Sequence, residues 1–413
     1  MNRTIFYSRG VGRHQLLLVS LLILLITTVF SLFTTKSNYI IYPMWVVMFA
    51  YIISSKGVLS KNESIFVRVS FAFFVIIFLY WFIGYSKMPM LVLMRSFNWI
   101  MAGVVSVYAM KWFSSQELST IYLFLGGAIV LLLLLLVIGG RELMFSGEQD
   151  EAALVANAWY GSLYMLLSGL CLIVFLNVKR FAPRIIALSL LVLSLYLNIA
   201  VLQRGTVVLM TFAELGLILL FLIKRKSIVI SLSVIIAPFV LIAFLSDNMI
   251  YIFDWLAQVV PSERLAVRFN QISMALTYES LESAGGSLSA RNSLMGISWN
   301  TFTSSFGHFL FGAGEHAGDN TIIGHHSFIL DTLASYGIIG GVLLFVYFRK
   351  QYQIIMSSLD KKKGWALYMQ CAIVFAFYVF RSFYGNMAFS LVIFFMLLFF
   401  PLTIQLILHY QNK

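Results

Sequence analysis

Gly324-His325-His326-Ser327-Phe328-Ile329-Leu330-Asp331-Thr332-Leu333-Ala334-Ser335-Tyr336-Gly337-Ile338-Ile339-Gly340-Gly341 is the stretch whose reading decides the fold. Ahead of it lies a long polar segment, and behind it the chain is apolar enough to enter a bilayer. The histidine pair therefore stands at a boundary between water and lipid. From Ser327 onward Phe328, Leu330, Leu333, Ile338 and Ile339 support a membrane helix whose first turn faces the aqueous side. Such a helix directs its unpaired N–H groups and positive dipole end toward whatever lies beside His326. An anion suits that position, and a diphosphate suits it well. The structural alternative is an interfacial histidine followed by two glycines that let neighbouring helices approach closely.

Composition bounds the surroundings of this stretch. Of 413 residues, 61% are hydrophobic and only 11% are charged, with a mean hydropathy of +0.93. Such usage indicates a polytopic membrane protein. The formal net charge is +12, from 28 Lys+Arg against 16 Asp+Glu. In a soluble protein that excess would suggest nucleic acid. Here the basic residues cluster in short connections between apolar runs, so membrane topology accounts for them and no nucleic acid is expected. Cys171 and Cys371 both lie within apolar runs and read as buried free thiols. Arg3, Arg9 and Arg13 precede the apolar run 16–33, which has no small-residue cleavage site and reads as an uncleaved first span.

Apolar windows of about 20 residues predict about twelve spans. They fall near 15–33, 39–54, 65–84, 90–110, 119–139, 159–177, 184–202, 206–223, 227–245, 327–348, 365–381 and 387–408. The organisation is then 1–245 with nine transmembrane helices, 246–326 as a large extracytoplasmic loop, and 327–413 with three more. Lysines and arginines concentrate in alternate connections, among them Lys56, Lys61, Arg68, Lys224 to Lys226, Arg349, Lys350 and Lys361 to Lys363. That asymmetry puts both termini in the cytoplasm and the loop on the opposite side. The loop has roughly 80 residues, too many for an ordinary connection. Trp255, Leu256, Leu265, Phe269, Ile272 and Leu276 recur in it at helical spacing, and 292–302 reads as a short amphipathic helix on the bilayer surface. Gly285-Gly286 and Gly312-Ala313-Gly314 break these helices apart. A shorter outer segment, 140–158, carries Glu142, Glu148, Asp150 and Glu151 and reads as a small cap.

Ionisable groups at a membrane are costly, so those facing the outer compartment are functional candidates. Arg95, Arg204 and Arg381 lie at or near the outer ends of spans, and Arg264, Arg268 and Arg291 lie in the long loop. Each alone could be a snorkelling side chain. Together they suit a diphosphate-linked lipid, because guanidinium groups bind phosphate in bidentate fashion.

His326-Ser327, a spacer ending at Tyr336, then Gly337 and Gly340, resembles the signature of the bacterial O-antigen ligase and O-antigen polymerase superfamily, which includes capsular polysaccharide polymerases. Members have an arginine at the outer end of a span before a small residue, matched by Arg204-Gly205. A loop arginine before an aromatic residue is matched by Arg268-Phe269. A third, opening a loop helix that ends in a glycine turn, is matched by Arg291 ahead of Phe311-Gly312-Ala313-Gly314. The resemblance implies an all-α polytopic fold of the GT-C type in the bacterial inner membrane. It also implies a glycan donor on undecaprenyl diphosphate and inverting glycosyl transfer without metal or other cofactor. In that scheme His326 is the catalytic base, Arg204, Arg268 and Arg291 hold the diphosphate, and Gly337 and Gly340 are structural. Arg95, Arg381, Asp331, Ser327 and His325 are further candidates for contact with substrate. A flippase and a chain-length regulator are implied as partners.

A divalent site from Glu315, His316, Asp319, His325 and His326 is the other use of these side chains, but its spacing matches no standard zinc pattern. Three functions remain. A polymerase that joins lipid-linked repeat units fits best, because the sequence from Ser327 to Gly340 is more similar to that branch. A ligase that passes finished glycan to lipid A-core shares the chemistry. A transporter of lipid-linked glycan would place its charges deep in the spans and on both sides of a cavity, whereas here they crowd one face.

Overall fold

The computed structural model describes residues 43, 59–88, 90, 93, 103, 104, 107, 115–145, 169–196, 246–259, 266, 267, 269–271, 273, 274, 286–316, 319, 321–357, 359, 365–383 and 399–411. Among the described residues the chain is helical and contains no strand; an isolated parallel bridge joins Lys87 and His316. In chain order the helices are α1 (Lys61–Phe82), α2 (Ser115–Phe145), α3 (Phe181–Tyr196), α4 (Ser246–Val259), α5 (Gly286–Thr303), α6 (Phe306–Phe311), α7 (Phe328–Ser357), α8 (Trp365–Phe383) and α9 (Phe400–Gln411).

Two of them, α1 and α7, are long and apolar enough to cross a membrane. Shorter apolar helical stretches cover Ser119–Leu131, Phe181–Tyr196 and Trp365–Ala376. The expected spans near 15–33, 39–54, 90–110, 206–223 and 227–245 lie wholly or mostly outside the described residues.

α1 starts on a capping box. The Ser60 hydroxyl accepts from the Glu63 N–H at 3.4 Å, and the Ser60 N–H donates to Glu63 Oε2 at 2.6 Å. α7 is the hub: it packs against α1, α5, α6, α8 and α9, while α2 packs against α3 and α9. α1 and α7 run antiparallel. Asn62 meets Lys350 at 2.9 Å, Phe66 meets Tyr347 with ring centroids 4.8 Å apart, and Phe73 meets Tyr336 at 6.0 Å. As the numbers rise along α1 they fall along α7. One end of the pair therefore carries Lys61, Arg349 and Lys350, and the other carries the His325-His326-Ser327 segment.

Three expected boundaries move. α2 continues through Gly139, Gly140 and Glu142 to Phe145, so the outer segment begins later than 140. α7 runs on to Ser357, and its basic end has partners: Lys350 Nζ donates to Asn62 Oδ1 and to Gln353 Oε1, each at 2.9 Å. The helix expected at 292–302 runs from Gly286 to Thr303. It packs on α7, and its buried Ser298 hydroxyl is bound to the loop and to α7.

Candidate functional site

The His-Ser segment is a helix start built from its own sequence. Ser327 is fully buried, and its hydroxyl accepts from the Leu330 N–H at 3.2 Å, which satisfies one of the orphan donors of the first turn. The Ser327 N–H donates to Asp331 Oδ2 at 3.0 Å. The other Asp331 oxygen accepts from Ser298 Oγ at 2.6 Å, and Ser298 Oγ in turn accepts from the Gly324 N–H at 2.9 Å. One carboxylate and one hydroxyl thus fasten the loop, the start of α7 and the middle of α5 together. Ser327 and Asp331 are both engaged in this cap, and Asp331 makes no direct bond to His326.

His325 adopts a left-handed conformation with φ 56, a region where histidine is more common than most residues. This reverses the chain, so that the two histidines have different partners. His325 Nε2 lies 2.9 Å from the His316 carbonyl, and His326 Nδ1 lies 3.0 Å from the Gly324 carbonyl. A carbonyl oxygen only accepts, so in the neutral His326 ring the proton sits on Nδ1 and the lone pair on Nε2. That is the tautomer a general base needs. Gly324 itself packs against the Leu294 backbone, where a Cβ would collide with the carbonyl.

The second half of the motif receives a turn from the loop. α7 is broken at Gly337, with φ 62 and ψ −161, a conformation open in practice to glycine alone. The break frees carbonyls that a continuous helix would satisfy, and the turn after α6 supplies donors. Ala313 N–H donates to the Ala334 carbonyl at 2.7 Å and Gly314 N–H to the Ser335 carbonyl at 3.0 Å. Gly312 and Gly337 allow the close approach: a Cβ at either would strike backbone of the other segment. The two glycine motifs noticed separately in the sequence are therefore the two sides of one contact.

The end of α1 completes it. Tyr80 Oη donates to the Phe311 carbonyl and Tyr85 Oη to the Gly312 carbonyl, each at 2.7 Å. The Glu315 N–H donates to Ser86 Oγ at 2.9 Å, and Tyr336 Oη donates to Glu315 Oε2 at 2.9 Å. Burial raises the Glu315 carboxyl above its ordinary value of 4.5, more than the Tyr336 hydrogen bond and nearby His325 lower it; nearby Asp331 adds to the rise. Asp319, at the surface of the loop, is shifted the other way by the hydroxyl and N–H of Thr321.

A cleft of about 520 Å³ lies beside this assembly, between α5, α6 and the segments around Ala313 and Thr321. Asn300, Thr301, Ser304, His308 and His316 contribute to its wall. Its polar wall, like the roles of Ser298, Tyr80 and Tyr85, was missed in the sequence.

Of the expected diphosphate ligands, Arg291 lies on α5, three residues before Leu294, whose backbone abuts Gly324; its side chain is not described. Arg381 lies near the end of α8, again without a described side chain. Arg95, Arg204 and Arg268 are outside the described residues. Among the described residues no cluster of three metal-capable side chains occurs. No protein-family model and no curated protein matches the chain.

Proposed function

We propose that this chain is a polytopic membrane glycosyltransferase of the O-antigen polymerase type, with about twelve spans in a GT-C arrangement. Its donor is a glycan repeat unit on undecaprenyl diphosphate, used on the extracytoplasmic side of the bacterial inner membrane. The observation that carries the reading is the His326 ring, held with Nδ1 3.0 Å from the Gly324 carbonyl just before the capped N-terminus of a long apolar helix, an arrangement that in the neutral ring leaves the lone pair on Nε2. The basic residues Lys61, Arg349 and Lys350 at the far end of α1 and α7 agree with a cytoplasmic location of that end, and so with an outward-facing motif.

In the reaction a hydroxyl oxygen of the acceptor sugar attacks the anomeric carbon of the donor. The bond from that carbon to the diphosphate oxygen breaks, the lipid diphosphate departs with the electron pair, and the configuration inverts. His326 Nε2 takes the hydroxyl proton. Arg204, Arg268 and Arg291 hold the diphosphate and, with the positive end of α7, stabilise the charge that grows on it. His325 and Arg381 are further substrate contacts in this scheme. A flippase that delivers repeat units and a chain-length regulator are the protein partners of this scheme.

His326→Ala is expected to abolish polymer while the protein still accumulates in the membrane. The check is gel analysis of surface polysaccharide from a deletion strain carrying the variant. Core bearing a single repeat unit supports the polymerase; bare core with accumulated lipid-linked polymer would instead indicate a ligase. Normal long-chain glycan from His326→Ala removes the catalytic assignment, and purified protein that forms no glycosidic bond removes the enzyme.

A further inference from the structure

The cleft beside the His-Ser segment has a chemistry of its own. Ile297, Asn300 and Thr301 follow the i, i+3, i+4 spacing, so a single face of α5 forms one wall, which Ser304 extends just past the end of the helix. The adjacent face presents Ser298 to Gly324 and Asp331, as described above. The cleft is thus fixed to the same helix that anchors the candidate base.

Its hydrogen-bonding groups are sorted by their neighbours. Ser304 Oγ donates to the Thr301 carbonyl at 2.8 Å, so the 2.7 Å contact to His308 must run from His308 Nδ1–H to Ser304 Oγ. His308 Nε2 is left as an acceptor. His316 Nε2 donates to the Ala313 carbonyl at 3.1 Å, which leaves His316 Nδ1 as an acceptor too. Asn300 adds an amide able to donate and accept. No carboxylate, lysine or arginine is among the described residues of the wall. The volume falls in the range of about 300–1,000 Å³ usual for small-molecule sites. Acceptors, an amide and hydroxyls without a fixed charge match a neutral polyhydroxylated ligand better than a phosphate, which wants fixed positive charge.

We propose that this cleft is a subsite for an uncharged sugar unit. That the sugar belongs to the lipid-linked glycan rests on the transferase reading; that the cleft takes neutral sugar does not. A link between the cleft and the His-Ser segment is present: His325 Nε2 donates to the carbonyl of His316, and Thr301 Oγ1 donates to the Ile322 carbonyl two residues before Gly324 at 2.6 Å.

The test is saturation-transfer NMR on the full chain in detergent micelles with a panel of methyl glycosides of hexoses, 6-deoxyhexoses and N-acetylhexosamines. At least one glycoside should bind, and inorganic pyrophosphate should not displace it. Asn300→Ala and His308→Ala should each weaken binding by about threefold to tenfold, the loss of one net hydrogen bond. Thr303→Ala, outside the cleft wall, should leave it unchanged. No binding by any glycoside, binding insensitive to both substitutions, or displacement by pyrophosphate overturns the subsite. Sugar binding in a protein that forms no glycosidic bond leaves the subsite standing and removes the transferase; polymer formation without sugar binding does the reverse.

Discussion

At the scale of single residues, polar groups around the His-Ser segment hold one another in place, and their removal has signs that can be worked out. Ser327→Ala deletes the cap of α7 and should lower stability by about 1 kcal/mol, measured as a shift in unfolding midpoint in detergent. Glu315 behaves differently, because burial disfavours its charge. Its raised value means that the stability it contributes is complete below about 4.5 and is lost as pH climbs through the folded-state value. Glu315→Gln keeps an oxygen for the Tyr336 hydroxyl and cannot ionise. The variant should match the parent at acid pH and melt at a higher temperature at neutral pH; a melting gap that shrinks as pH rises would reverse the assignment.

At the scale of elements, the break in α7 is the feature on which the local fold turns. Gly337→Ala must adopt a positive φ, at roughly 1–3 kcal/mol, and in addition drives a methyl group into the Leu310 backbone. Gly341→Ala meets only the mobile end of the Leu333 side chain. Thermal stability and accumulated protein should therefore fall sharply for the first variant and little for the second. Equal losses would mean that the glycines matter only for packing.

The same element shows what could be read from sequence. The start of α7 was legible, because apolar content sets in directly after Ser327, and the helix indeed begins at Phe328. The break was not. Gly337-x-x-Gly340 reads equally well as a packing surface, and its positive φ depends on a turn contributed by Gly312 to Gly314. The clamp from Tyr80 and Tyr85 was further out of reach, since those bonds join residues 231 and 227 positions apart. Ser298 carried no signal at all, being one serine among several on a helix expected to lie flat on lipid. Of the arginines, Arg95, Arg204 and Arg268 lie outside the described residues.

For the molecule as a whole, the antiparallel pair of α1 and α7 makes a topological statement. If both cross the membrane, Thr303 and Arg349 fall on opposite sides of it. Each is exposed, and both native cysteines are buried, so single cysteines at these positions can be compared directly. With a membrane-impermeant maleimide on intact cells, Thr303→Cys should label at once and Arg349→Cys only after permeabilisation. The opposite pattern would put the His-Ser segment in the cytosol.

The Gly337 break also bears on biogenesis. Before the Gly312 to Gly314 turn docks, the carbonyls of Ala334 and Ser335 have no donor from it, and inside lipid they would have no water to replace it. The turn precedes α7 in the chain and so emerges from the ribosome first. Order of synthesis thus delivers the donors ahead of the acceptors, and defects in the turn should surface as failed insertion and proteolysis instead of as an inactive enzyme.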